Sequence, residues 1–339
     1  MGRIVSKTLV WTAAGAGALF AARQFVRAQR FLQLAGRSVL ITGGSRGLGL
    51  VMAREFAGHG ARLALCARDA EELERASGEL ASAGAEVIAI PCDVTRPDEV
   101  EAMIGQVLDR FGQIDVLVNN AGTIQVGPME VTTIEDYEQA LRTHFWAPLY
   151  TTFAVLPGMR RKRAGRIVNI SSIGGKISVP HLLPYSASKF ALCGFSEGLR
   201  AELAGSGIFV TTVIPGLMRT GGPRHALFKG QHRAEYAWFS IGDSLPVLST
   251  SAPAAARRIV KATQYGDAQL VLTLPAQLAV VFRGLFPELT ADVLGLAGRL
   301  LPGPGGIGHK SALGKDSTSS LAPSWATKLT DAAAERNNE

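Results

Sequence analysis

Residues 37–69 read RSVLITGGSRGLGLVMAREFAGHGARLALCARD, and the layout of the whole chain turns on this stretch. A β-branched apolar run, Ser38 to Thr42, leads into Gly43, Gly47 and Gly49, after which Leu50, Val51, Ala53 and Phe56 recur with helical spacing. Strand, glycine turn and helix in that order let backbone N–H groups and a helix N-terminus face an anion, because glycine permits close backbone approach. The second apolar run, ARLALC, follows within the same stretch, and the alternation then continues outward. AEVIAIPCDVT (85–95), IDVLVNNAG (114–122), GRIVNISSIGG (165–175) and IFVTTVIPG (208–216) each read as a buried strand after a helical segment, and a short strand, QLVLTL (269–274), follows a helix within 251–275. Strands alternating with helices predict an α/β domain with a doubly wound, mainly parallel sheet.

Composition narrows the function classes. The chain has 339 residues, 47% hydrophobic and 19% charged, enough to bury one large core. Its formal charge of +7 is concentrated in residues 1–40, which hold Arg3, Lys7, Arg23, Arg27, Arg30 and Arg37 and no acid. That leaves 29 of the 35 basic residues against 28 acidic ones, a nearly neutral body that argues against a nucleic-acid groove. Cys66, Cys92 and Cys193 are far apart, with no metal-ligand spacing, and read as free thiols of a reducing, cytoplasmic setting; no metal is expected.

The ends differ from the body. Thr8 to Ala22 run fifteen residues without a charge, short of the about 20 needed for a spanning helix. RQFVRAQRFLQL (23–34) then mixes Phe25, Val26, Phe31, Leu32 and Leu34 with arginines, suited either to an anionic membrane surface or to packing on the protein itself or a partner chain. The opening MGRIVS also fits the loose N-myristoylation pattern. Segment 1–36 is therefore a basic apolar extension and possible membrane anchor. Residues 276–302 form an apolar, helical extension that either roofs a pocket or adds to a membrane surface. Residues 303–339, rich in Gly, Pro, Ser and Thr, are expected to be irregular.

The spacing Gly43-x-x-x-Gly47-x-Gly49 after Thr42, together with Asn119-Asn120-Ala121-Gly122, resembles the short-chain dehydrogenase/reductase family, whose Rossmann-like single domain would cover residues 37–275. The resemblance implies a cofactor site built from Thr42, Gly43, Ser45, Arg46, Gly47, Leu48 and Gly49. It extends that site to Arg68, Asp93, Val94, Asn120, Ala121, Gly122, Tyr185, Lys189, Pro215, Gly216 and Thr220. Asn119 serves equally well as a brace between strands. An NAD-specific domain places an acid after the second strand to hold the ribose hydroxyls. Here Ala67 stands there, and Arg46 and Arg68 are placed for a 2′-phosphate, so NADP (NADPH) is the expected cofactor.

In LLPYSASKFAL (182–192), Tyr185 precedes Lys189 by four residues, which puts both on one helix face. The resemblance makes them the family's Tyr-x-x-x-Lys pair, with Ser172, thirteen residues before Tyr185, as the active serine and Ser171 as a structural one. A phenol with a pKa near 10 is a poor base, and lowering it by ~3 units requires about 4 kcal/mol from nearby cations. On this expectation Lys189 and an oxidised nicotinamide draw the Tyr185 pKa down. One position departs from the family: His144 stands where an asparagine normally supports a proton relay, and it is either a substitute relay or a packed helix residue.

Phe228, Tyr236, Trp238 and Phe239 fall in the variable segment 221–250, expected to form a substrate lid; they either point to a lipophilic carbonyl or alcohol of fatty-acyl, steroid-like or retinoid-like kind or merely pack as lid core, which leaves a polar substrate such as a sugar open. The resemblance also implies a homo-oligomer formed through the helices around His144 and Tyr185. A non-catalytic NADP(H)-binding module is the competing class.

Overall fold

The computed structural model describes residues 17–18, 20–246, 248–325 and 327–339. The MGRIVS motif and residues 8–16 of the charge-free run lie outside the described residues.

Seven strands form the central sheet: β1 (Ser38–Thr42), β2 (Arg62–Ala67), β3 (Val87–Pro91), β4 (Val116–Asn119), β6 (Gly165–Ile170), β7 (Ile208–Ile214) and β11 (Gln269–Val271), with β5 (Gln125–Val126) lying outside it. Their order is β11-β7-β6-β4-β1-β2-β3, and every pairing is parallel. The chain reverses direction across the sheet between β1 and β4, and in such sheets ligands bind beyond the carboxyl ends of the strands at that point.

Strand alternation sorts the side chains into two layers. Val39 and Ile41 point into a core with α1 (Gly47–Gly58) and α2 (Ala70–Ser82), which α8 (Ala252–Tyr265) completes. Leu40 points to the other face, where α3 (Pro97–Phe111), α5 (Ala147–Lys162) and α6 (Leu183–Glu202) pack. Between α4 (Ile134–Leu141) and α5 the helix widens into a π turn, Arg142–Trp146. The lid is built from β8 (Leu217–Arg219), β9 (Leu227–Phe228), α7 (His232–Ser244) and β10 (Ser249–Ser251).

Polar side chains tie the sheet together inside. The Thr151 hydroxyl donates to Asn119 Oδ1 (2.6 Å), Asn119 Nδ2 donates to Asn169 Oδ1 (2.9 Å), and Asn169 Nδ2 donates to Ser196 Oγ (3.1 Å). Ser196 in turn bonds Thr212 at 2.7 Å. Asn119 is thus a brace joining α5, β4, β6, α6 and β7, each group satisfied as burial demands.

Residues 27–34 dock on the domain itself. Arg27 pairs with Asp267 (2.6 Å) and lies over the Tyr265 ring, Phe31 packs on Tyr265, and Leu34 is buried. Phe20, Phe25 and Val26 remain exposed, so packing and free surface divide the segment between them. Among the described residues, no helix is long and apolar enough to cross a membrane.

The 276–302 extension is helical, as expected, but broken at Phe286–Pro287 into α9 (Leu274–Leu285) and α10 (Pro287–Leu300). It does not line the interior cavities. Its inner side is held at Ala276 against Gly216 and Gly298 against Pro180, while Leu278, Leu285, Leu289, Leu296 and Leu300 face outward.

The tail corrects an expectation. Residues 303–339 were expected to be irregular, yet β12 (Ala312–Leu313) pairs with β9 and α11 (Lys328–Arg336) packs on the lid. The Ser244 hydroxyl donates to Thr330 Oγ1 at 2.7 Å, and Ala333 and Ala334 are buried. Low local propensity is overridden here by tertiary partners supplied by the lid.

The glycine turn makes a sharp stability prediction. A Cβ on Gly49 would stand 1.9 Å from the Gly43 carbonyl oxygen and 2.7 Å from Asn120 Nδ2, whereas one on Gly194 meets nothing within 4 Å. Gly49→Ala should cost about 2–3 kcal/mol in urea unfolding through overpacking against backbone. Gly194→Ala, inside α6, should be neutral or stabilising by up to about 1 kcal/mol.

Candidate active site

The carboxyl ends of β1, β2 and β3 open onto a cavity of about 610 Å³ lined by Gly43, Ser45, Arg46, Gly47, Leu48 and Gly49, with Arg68, Asp93, Val94, Asn120, Ala121 and Gly122 on its other walls. Gly43 takes a left-handed φ of +64°, where a Cβ would also press on Ala121. Asn120 fixes the turn: its Nδ2 donates to the Thr42 and Gly43 carbonyls at 3.1 and 3.0 Å. The Thr42 hydroxyl accepts the Asn120 and Ala121 N–H groups at 3.0 and 3.1 Å. A backbone cradle that no side chain can fill fits a dinucleotide pyrophosphate.

The two arginines differ. Arg46 Nη1 donates to both Glu72 carboxylate oxygens at 2.9 Å, and the Ser45 hydroxyl also donates to Glu72 at 3.3 Å. Arg68 is exposed at the cavity wall. A segment that sequence reasoning did not connect to this site also reaches it. Gly47 N–H donates to the Asn337 carbonyl (2.9 Å), Asn338 Nδ2 donates to the Ser45 carbonyl (2.9 Å), and the Glu339 side chain forms part of the wall. Burial raises the Glu339 carboxyl to about 7, against the opposing pull of Arg46 3.9 Å away.

A second cavity of about 320 Å³ adjoins the first through Leu48, Asn120, Gly122 and Thr123, and it gathers Ser172, Tyr185, Lys189 and His144. Ser172 ends the segment after β6, where its hydroxyl accepts the Gly174 N–H at 3.0 Å. Pro184 in the first turn of α6 helps set Tyr185 at the helix start, and Lys189 follows one turn later. Ser171 is buried away from the cavity's chemistry, donating to the Lys189 carbonyl and meeting Cys193 Sγ at 3.1 Å. Pro215 and Gly216 complete the wall beside Leu217, and Thr220 closes it.

The electrostatics reverse one expectation. Burial pushes the Tyr185 phenol up to about 12, and a hydrogen bond with Ser172 only partly opposes this. Lys189 cannot supply the expected lowering: its Nζ lies 5.7 Å from the Tyr185 ring centre and donates to the Ile170 carbonyl at 2.9 Å. Burial also pulls Lys189 down to about 8. Two desolvated groups each favour their neutral form.

His144 has both ring nitrogens engaged. Nε2 accepts the Thr123 N–H at 3.2 Å, so the proton sits on Nδ1, which lies 2.8 Å from Ser188 Oγ. Ser188 passes the chain to the Tyr185 carbonyl at 2.7 Å, and the imidazole meets the Tyr185 ring edge-on. Burial, then the Lys189 charge, holds its pKa well below the ordinary value. The geometry is that of a neutral packed residue, seated in the π turn where an extra residue bulges the helix.

The lid aromatics divide. Trp238 and Phe239 line the second cavity, whereas Phe228 and Tyr236 are lid core with Val126, Leu182 and Ala322. A buried His181–Glu235 pair (2.8 Å), with Trp238 Nε1 donating to Glu235 at 2.6 Å, fixes Trp238 in place. Sequence reasoning missed Glu72, Asp243 and Glu339. Glu72 carried a weak signal as an acid in the first turn after Arg68-Asp69, while the other two carried none, since only long-range packing brings them to the site.

Comparison with known proteins follows the same outline. The short chain dehydrogenase family profile matches residues 37–226. The chain is 36% identical over 282 residues to dehydrogenase/reductase SDR family member 7B of Bos taurus, covering 81% of this chain and 85% of that one. It is 41% identical over 183 residues to a granaticin polyketide synthase putative ketoacyl reductase 1 of Streptomyces violaceoruber, covering 53% and 67%. A short-chain dehydrogenase from Streptomyces avermitilis superposes with a TM-score of 0.65 at 32% identity over 78% of this chain and 98% of that one. With its glycine cradle, its Ser172, Tyr185 and Lys189 cluster and these relatives, the chain belongs to the short-chain dehydrogenase/reductase family and is a carbonyl/alcohol oxidoreductase.

Proposed function

We propose that the protein reduces a lipophilic ketone or aldehyde with NADPH, and the observation that carries this reading is Tyr185 in an apolar cavity that adjoins a polar, arginine-bearing one. The nicotinamide, when bound, supplies the hydride. Tyr185, protonated at neutral pH because burial raises it to about 12, gives its proton to the substrate oxygen. Ser172 donates a hydrogen bond to that oxygen as charge builds there. Lys189 holds ribose hydroxyls, and His144, through Ser188, positions the backbone of Tyr185. The non-catalytic reading would need none of Ser172, Tyr185 and Lys189 together.

Arg46 and Arg68 support NADP(H), with Glu72 as a competitor for Arg46. The outward leucines of α9 and α10, and Phe20, Phe25 and Val26 among basic residues, support attachment to an anionic membrane surface in the cytoplasm. Trp146 and Phe153, exposed near the α5–α6 face, support a homo-oligomer.

Tyr185→Phe should lower kcat for ketone reduction by ~10²–10⁴-fold while NADPH still binds, as read by cofactor fluorescence; undiminished turnover would end the enzyme reading. Arg46→Ala should cut the NADPH-over-NADH preference in dissociation constants at least about tenfold, whereas Glu72→Ala should increase it by freeing the guanidinium. Lys189→Met should abolish activity yet stabilise the fold by about 1–3 kcal/mol in urea at pH 7. The sign follows from a folded-state pKa of about 8 below the ordinary 10.5: charging Lys189 costs stability below pH 8, and the gap between variant and parent closes as pH rises toward 10.5. Glutamate at Leu278, Leu289 and Leu296 together should reduce co-sedimentation with phosphatidylserine vesicles.

A further inference from the structure

One acid in the apolar cavity has no part in the mechanism above. Asp243 sits in α7, one residue before that helix ends, and lines the same cavity as Ser172, Tyr185, Trp238 and Phe239. It is almost fully buried, at 7% exposure. Among the described residues no side chain donates to its carboxyl and no cation pairs with it, and the Met218 backbone only partly opposes the effect of burial on it. Its charge reaches Tyr185, where it opposes ionisation of the phenol.

A carboxyl oxygen accepts more than one hydrogen bond, so a carboxyl on the cavity wall with no side-chain donor has room for a donor brought in by an occupant of that cavity. Elsewhere in the lid the buried acids are paired: Glu235 has His181 and Trp238. Asp243 alone faces the cavity, and burial lifts its pKa to about 7, as expected for a carboxyl that waits for a partner.

We propose that Asp243 is a substrate-recognition residue that accepts a hydrogen bond from a hydroxyl or amine carried by the substrate away from its reacting carbonyl. The substrate class thereby narrows from lipophilic carbonyls to apolar ketones or aldehydes bearing a second, donor group. The inference rests on the reading of this cavity as the substrate's. Trp238 and Phe239 supply apolar walls, Ser172 and Tyr185 take the carbonyl, and Asp243, on the wall of the same cavity, receives the donor. Sites built to bond a polar group discriminate strongly against the analogue lacking it, because their own buried group is then left unpaired.

The experiment uses pairs of bicyclic ketones, each with a ring hydroxyl at a different position and its deoxy counterpart, against the full chain. Binding to the NADP⁺-loaded protein is measured by calorimetry and turnover with NADPH. The expected result is that at least one hydroxylated ketone is preferred tenfold or more in both affinity and kcat/KM, that Asp243→Leu reduces this ratio to about one, and that Asp243→Asn, keeping an acceptor, retains part of it. Equal affinity for both members of every pair would overturn the proposal, as would a preference that survives Asp243→Leu. Weaker NADPH binding in both variants, with all ketones affected alike, would assign Asp243 to the cofactor instead and overturn it too. A binding preference without any turnover would sustain the inference and sink the reduction reading, so the two fail separately.

Discussion

Contact between the Gly43 carbonyl and the backbone of Gly49, clasped by the Asn120 amide, governs the position of everything else. It forces β1 to end and α1 to begin within a few residues, leaving the end of β1 open to a ligand. Because Asn120 lies directly after β4, the same clasp draws the two strands flanking the reversal point together. The buried amide and hydroxyl ladder from Thr151 through Asn119, Asn169 and Ser196 to Thr212 carries that alignment across to β7. Ser172 and Pro215 sit at the carboxyl ends of β6 and β7, so their spacing from Gly49 depends on this chain of contacts.

Chemistry at the site is set by desolvation more than by charge pairing. Tyr185, Lys189, His144 and Asp243 all shift toward their neutral forms. A phenol held protonated suits delivery of a proton to an incoming carbonyl. A lysine whose pKa is pulled down to about 8 is a group whose charge responds strongly to a neighbouring anion or cation. The cluster is electrostatically soft, and its protonation pattern is one that a charged occupant of the adjoining cavity reshapes.

The central sheet was legible because each strand is a short apolar run set between segments of helical spacing, a pattern set by local sterics. Ser172, Tyr185 and Lys189 were named through the family resemblance, and the fold gathers them in one cavity because they sit after a strand end and at a helix start. What stayed hidden depends on contacts between distant residues. Of the two cations expected to acidify Tyr185, Lys189 does not offset the burial of the phenol, and distance and burial are what no spacing reveals. The commitment of both His144 nitrogens needs Thr123 and Ser188 brought in from separate segments. Asp243 carried no signal in the sequence, and only the packing of α7 over β8 brings it to the cavity. The tail 303–339 looked like low-propensity chain because its partners lie in the lid.

That tail has a practical side. Gly47 spends its N–H on the Asn337 carbonyl, and Asn338 bonds the Ser45 carbonyl, so the last residues of the sequence stand on the cofactor cradle itself. A substitution at Asn337, Asn338 or Glu339, nearly three hundred residues from the glycine turn in sequence, therefore acts directly on the wall of the cofactor cavity.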